Sequence, residues 1–161
     1  MKFIFLFFLV HLTFAQTQTE ENKINEVLNN WHKAAATANF KAYFDAMSSD
    51  AIFIGTDATE NWNKTEFMAY AKPHFDKGKA WSFTSLQRHI FFSSDKQMAW
   101  FDELLSTQMK ICRGSGILSK IGNEWKIKQY VLSMTVPNEV SEIVIKTKSP
   151  IEDILTAKLK K

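Results

Sequence analysis

The chain has 161 residues, with 20 Lys and Arg against 17 Asp and Glu and a formal net charge of +3. So small an excess, spread along the chain and crowded only at Lys146, Lys148, Lys158, Lys160 and Lys161, argues against a nucleic-acid partner. The single cysteine, Cys112, excludes an internal disulfide, and the length suits one domain with a full core.

Lys2 followed by the apolar run Phe3 to Val10, with Thr13-Phe14-Ala15 as a small-x-small cleavage site, predicts a secretory signal over residues 1–15. The run is about a dozen residues, short of the roughly 20 that a membrane-crossing helix needs. No cysteine follows Ala15 to accept a lipid, so the expected product is secreted or periplasmic, without a stable membrane anchor after cleavage. Residues 16–21 read as a short linker, and the removal of Lys2 alone among charged residues lowers the net charge to +2.

Ile24, Val27, Leu28, Trp31 and Ala35 recur at helical spacing and predict an amphipathic helix from Glu20 to Thr37. Asn39 starts a second, with Phe40, Tyr43, Phe44 and Met47 on one face and Ser48-Ser49-Asp50 as its end. Ala51 to Ile54 is a buried-looking strand, followed by a loop from Gly55 to Asn61. Asn63 and Glu66 form a capping box for the next helix, and Trp62 with Phe67 forms a hydrophobic staple. Pro73 is expected to interrupt this helix near Ala71, with Gly78 as a stop.

Four strands follow, over 81–92, 97–107, 111–121 and 125–136, with turns at Ser93-Ser94-Asp95 and Gly122-Asn123. Helices first and strands afterwards indicate an α+β fold, with helices on one face of an antiparallel sheet. Residues 141–147 form at best a weak strand. Ser149, Pro150 and Glu152 then open a short C-terminal amphipathic helix within an extension over 140–161, expected to dock on the domain.

If Gly122 and Asn123 centre a tight hairpin, Leu118 lies opposite Ile127, Ser115 opposite Tyr130 and Arg113 opposite Leu132. If the preceding turn centres on Gln108, Glu103 lies opposite Arg113 and Phe101 opposite Ser115. One face then gathers Phe101, Glu103, Arg113, Ser115 and Tyr130. Trp100 and Asp102 fall on the other, with Gly114 and Gly116 leaving room for Trp100. A one-residue shift of the first turn would exchange the two acids, and the Glu103–Arg113 pair is read either as part of a pocket or as a cross-strand ion pair that fixes register.

His32 sits at the edge of the first helix's apolar face, as a boundary histidine or a proton carrier, and His89 could reach the sheet's interior. No histidine pair has zinc spacing, and no phosphate-loop, dinucleotide or nucleophile-elbow motif occurs, so neither metal nor cofactor is expected.

The helix pair, Phe53-Ile54-Gly55-Thr56-Asp57, Trp62, Ala99 to Glu103, Arg113-Gly114-Ser115-Gly116 and the closing stretch from Trp125 to Asn138 resemble a SnoaL-like protein of the nuclear transport factor two superfamily, over about residues 22–139. The resemblance implies a cone: N-terminal helices packed on a strongly curved antiparallel sheet that encloses a pocket, often as a homodimer through the sheet. It leaves chemistry open, because one fold serves many activities.

Two functional expectations follow, with a filled interaction module as a third. In an enzyme without cofactor, an isomerase, lyase or hydrolase, Glu103 or Asp57 is the base, its pKa raised by an apolar cavity, and Arg113 and Tyr130 steady an oxyanion. In a binder, Arg113 grips the acid of a small apolar or carboxylate-bearing molecule. Trp31, Phe44, Phe53, Trp81 and Phe101 line the cavity, with Ser115 on the same face.

Overall fold

The computed structural model describes the backbone of residues 4–161 and the side chains of residues 19–161. Residues 1–3 of the expected signal, and the side chains of the rest of it, lie outside the described residues. Three helices come first or between early strands: α1 (Ile4–Ala36), α2 (Phe40–Asp45) and α3 (Lys64–Phe75). The strands are β1 (Met47–Ile54), β2 (Asn61–Asn63), β3 (Thr84–Phe92), β4 (Met98–Thr107), β5 (Lys110–Ile121) and β6 (Glu124–Met134), and α4 (Ser141–Leu159) closes the chain. Among the described residues no helix is long and apolar enough to cross a membrane.

The six strands make one sheet in the order β2-β1-β6-β5-β4-β3, with β1 parallel to β6 and every other pair antiparallel. Irregularities between Met47 and Ile52, Ser85 and Gln87, and Ile117 and Leu118 bend this sheet without closing it. Its inner face buries Phe101, Leu105, Cys112, Leu118, Ile127 and Leu132 against Ile24, Leu28 and Trp31 of α1, Phe44 of α2 and Phe67 of α3. The α+β architecture expected from the order of elements is the one observed.

Local sequence explains most boundaries. Asn39 caps α2 by accepting from Ala42 N at 3.0 Å, and Asn63 and Glu66 exchange the two capping-box hydrogen bonds at the start of α3. Four expectations need correction. Residues 16–21 lie within α1 rather than in a linker, and the Ser48-Ser49-Asp50 stretch belongs to β1. Pro73 does not stop α3, which runs on to Phe75: the helix is so short that its last turn can absorb the missing bond. The tail is one helix from Ser141 through Pro150 rather than a strand and a helix, with Ser149 Oγ donating back to Ile145 O instead of capping. This helix buries none of its residues, and Pro150, Ile151, Ile154 and Leu155 share an open cleft with the loop Thr56 to Thr59 instead of packing into the core.

The register also differs from the expected one. Leu118 does pair with Ile127, but the irregularity beside Ile117 then moves Gly116, not Ser115, opposite Tyr130. The β4–β5 turn joins Thr107 to Lys110 through two residues, with Lys110 at φ 69° and Thr107 Oγ1 accepting from Met109 N. Glu103 therefore faces Gly114, and Phe101 faces Gly116.

Candidate functional site

The sheet positions a buried carboxylate cluster. Strand alternation turns Phe101, Glu103 and Leu105 inward on β4, and Arg88, Ile90 and Phe92 share one side of β3. Arg88 lies opposite Glu103 in the ladder and donates to its Oε2 from Nε at 3.0 Å and Nη2 at 2.6 Å. His32 of α1 approaches Glu103 Oε1 through Nε2 at 2.8 Å, and the Tyr130 hydroxyl donates to the same oxygen at 3.1 Å. Asn25 and Asn29 lie two turns and one turn before His32 and accept from Arg88 Nη1 at 2.9 and 3.0 Å.

Glu103 is 1 % exposed and its carboxylate takes four hydrogen bonds, so its lone pairs are all engaged. Burial favours the neutral acid, but the bond and charge of His32 and the charge of Arg88 outweigh it and hold the pKa below the ordinary carboxylate value. This reverses the expected upward shift. An ionised carboxylate only accepts, which puts a proton on His32 Nε2. Burial, and the charge of Glu103, push the Tyr130 phenol well above its ordinary value, so it stays a donor.

The glycines serve this cluster. A Cβ on Gly114 would stand 2.2 Å from the Tyr130 hydroxyl oxygen, and one on Gly116 would stand 2.9 Å from Phe101 Cε1. They make room for Phe101 and Tyr130 on the inner face, not for Trp100.

A separate cavity of about 220 Å³ opens where β1, α3 and the segment before β3 meet. Six aromatic residues line it: Phe53, Trp62, Phe67, Tyr70, Trp81 and Phe83. The rings of Trp62 and Phe67 lie 11° from parallel with centroids 5.8 Å apart, and those of Phe67 and Trp81 lie 23° from parallel at 6.0 Å. Glu60, His74, Thr56 and Gln108 supply polar edges. The carboxylate cluster does not line this cavity. Phe53 stacks on Tyr130 at 5.7 Å and Phe83 stands edge-on to His32 at 6.0 Å, so these two rings separate cavity and cluster.

Of the expected site residues, Glu103 and Tyr130 come together, and Phe53 and Trp81 line the cavity. Arg113 and Ser115 do not join them: one-residue register shifts turn both to the outer face, where Arg113 is exposed. Asp57 is exposed in the loop after β1 and accepts from Thr59 N and Oγ1, bonds that lower its pKa. Trp31 and Phe44 are core, stacked or edged against Tyr43, and Phe101 packs on Tyr130 at 6.1 Å. His89, on the outer face, pairs with Asp102 at 3.1 Å. Arg88 is the residue that sequence reading missed, although its alternation with Ile90 and Phe92 marks it as inward. Among the described residues no group of three or more metal-ligating side chains occurs.

Comparison with known proteins adds the family. A family model described as a SnoaL-like domain matches residues 24–137. No curated protein matches. An NTF2-like protein of unknown function from Pseudomonas putida superposes with a TM-score of 0.64 at 12% identity, over 76% of this chain and 92% of that one. A candidate dehydratase of the NTF2-like family from Streptomyces avermitilis gives 0.64 at 8% identity, over 75% and 99%. A candidate scytalone dehydratase from Novosphingobium aromaticivorans gives 0.63 at 11% identity, over 74% and 87%. At such identities these structures speak for the fold alone.

Proposed function

We propose, since the chain belongs to the SnoaL-like family and its cavity is walled by near-parallel rings, that it binds a small, flat, apolar molecule in that cavity. The observation that carries the reading is the run of planes from Trp62 through Phe67 to Trp81, within 11° and 23° of one another. A flat guest laid against such a wall gains dispersion contact and apolar burial together. At about 220 Å³ the cavity lies below the roughly 300–1,000 Å³ of drug-sized sites, which limits the guest's size. The acid-gripping role expected of Arg113 falls away, because its side chain is on the far side of the sheet.

Binding is the better reading than turnover by Glu103. Its lone pairs are occupied and its charge is held by Arg88, so it serves as an anchor between α1, β3 and β6. A second reading rests on His32: the Nε2–H bond to Glu103 fixes its ring, and in its neutral form that ring would present Nδ1 as the basic nitrogen, the arrangement of an acid-oriented general base. That reading requires Phe83 to move aside.

The test uses 2-naphthol as probe and tryptophan fluorescence of the purified protein as signal. Saturable quenching is expected, and Ala80→Phe, which fills the cavity, should abolish it while the thermal melt stays unchanged. Quenching that survives Ala80→Phe would mean that the guest binds elsewhere. Recovery of altered naphthol in the wild type, absent in His32→Gln, would favour the second reading.

The proposal includes export and self-association. Residues 1–15 carry the expected signal, so protein expressed with its whole N-terminus should be recovered outside the cytoplasm with that segment's mass missing. An intact, internal product would end the export reading. A homodimer would use the outer face of the sheet, where Phe91 and Trp100 stack in the open with centroids 5.9 Å apart.

A further inference from the structure

The charge around the cavity narrows its guest further. Glu60 is the one carboxylate lining it, and neither lysine nor arginine does. Glu60 is half-buried, and no ion pair engages it among the described residues. Its Oε2 accepts from Asp57 N at 3.1 Å. The backbone is built to hold it there: a Cβ on Gly55, itself a lining residue, would stand 2.1 Å from Glu60 Oε2, so the carboxylate occupies the space that Gly55 leaves free.

A half-buried carboxylate without a counter-ion, set beside Trp62, Tyr70 and Trp81, has a defined complement. Ring faces attract cations through their quadrupole, most strongly for tryptophan, and the gain grows as the cation is desolvated. A carboxylate in the same wall adds charge, and it repels anions. Resting on the pocket reading above, we propose that the guest is a small flat monocation, such as an N-alkylated or protonated heteroaromatic ring. Its ring lies against the aromatic wall and its positive end is turned to Glu60.

Three isosteres that differ in charge test this: N-methylpyridinium, toluene and benzoate, titrated into the purified protein while the indole N–H resonances of Trp62 and Trp81 are followed. N-methylpyridinium should shift both resonances and bind at least about fivefold more tightly than toluene, with benzoate weakest. Glu60→Gln keeps the acceptor for Asp57 N and should bring the cation down to the level of toluene. Rising salt should weaken the cation and leave toluene unchanged, a readout that needs no variant. Toluene or benzoate binding as tightly as the cation would overturn this inference and leave the pocket reading standing. Failure of all three to move either resonance would overturn both.

Discussion

The hydroxyl of Tyr130 lies over Gly114, so close that a methyl group on that glycine would sit 2.2 Å from it. Tyr130 is fully buried, and its hydroxyl is committed to Glu103. Gly114→Ala should therefore destabilise the protein by about 1–3 kcal/mol, the usual cost of overpacking a filled core. Tyr130→Phe in the same chain should restore part of that loss, because it removes the clashing atom. Denaturant melts of the two single variants and the double variant check this, and simple additivity of the two losses would contradict it.

The ion pair between Arg88 and Glu103 is buried at both ends, with the side chains 5 % and 0 % exposed. Glu103→Gln should cost about 3–5 kcal/mol, since it leaves the arginine charge without its counter-charge in a desolvated place. Arg88→Met should cost a similar amount for the mirrored reason. The double variant should be more stable than either single one. Urea melts of the four proteins measure the coupling, and a double variant worse than both singles would show that the pair does not act as a unit.

Acid should weaken two tethers with the same sign. Burial alone would raise the pKa of Glu20, but hydrogen bonds from Lys23, Trp125 and Lys120 outweigh it and bring it from 4.5 to about 2. A carboxylate whose folded pKa is depressed contributes stability that is complete above its unfolded value and lost as pH falls through its folded one. The stability gap between the wild type and Glu20→Gln should thus be widest above pH 4.5 and close toward pH 2. Glu103, also lowered, should show the same trend. A gap that stays constant across that range would contradict the prediction.

Trp100 is 49 % exposed on the outer face of the sheet, and Phe91 stacks on it. If copies associate there, Trp100→Glu should raise the dissociation constant by more than about tenfold, the scale of a central aromatic hot spot. Sedimentation over a range of concentrations reads this directly. A wild type that stays monomeric at the highest concentration would dispose of the interface.

Much of the fold was legible because local rules fix it. Asn63 and Glu66 announce the start of α3, and Gly122-Asn123 sets Leu118 against Ile127. The site was less legible because register accumulates errors along a sheet. Lys110 takes a left-handed turn position that no glycine advertises, and the irregularity at Ile117 leaves no mark in composition. Each moves the pairing by one residue, enough to send Arg113 and Ser115 outward and to put Gly114 and Gly116 where Glu103 and Tyr130 need space. Arg88 and His32 reach Glu103 from separate elements, 15 and 71 residues away in sequence, a convergence that only tertiary structure makes.

The parallel pairing of β1 with β6 sets an order of assembly. β1 carries Phe53 into the cavity wall, but its only long neighbour in the sheet is β6, which begins at Glu124. A growing chain can pack α3 on β1 and β2 and α1 on α2, but β1 keeps its inner sheet edge, and α1 part of its apolar face, open until the last strand arrives, and closing so long a loop is slow. The cavity is completed at the end of folding, and truncation before Trp125 should leave a sticky precursor with no pocket at all.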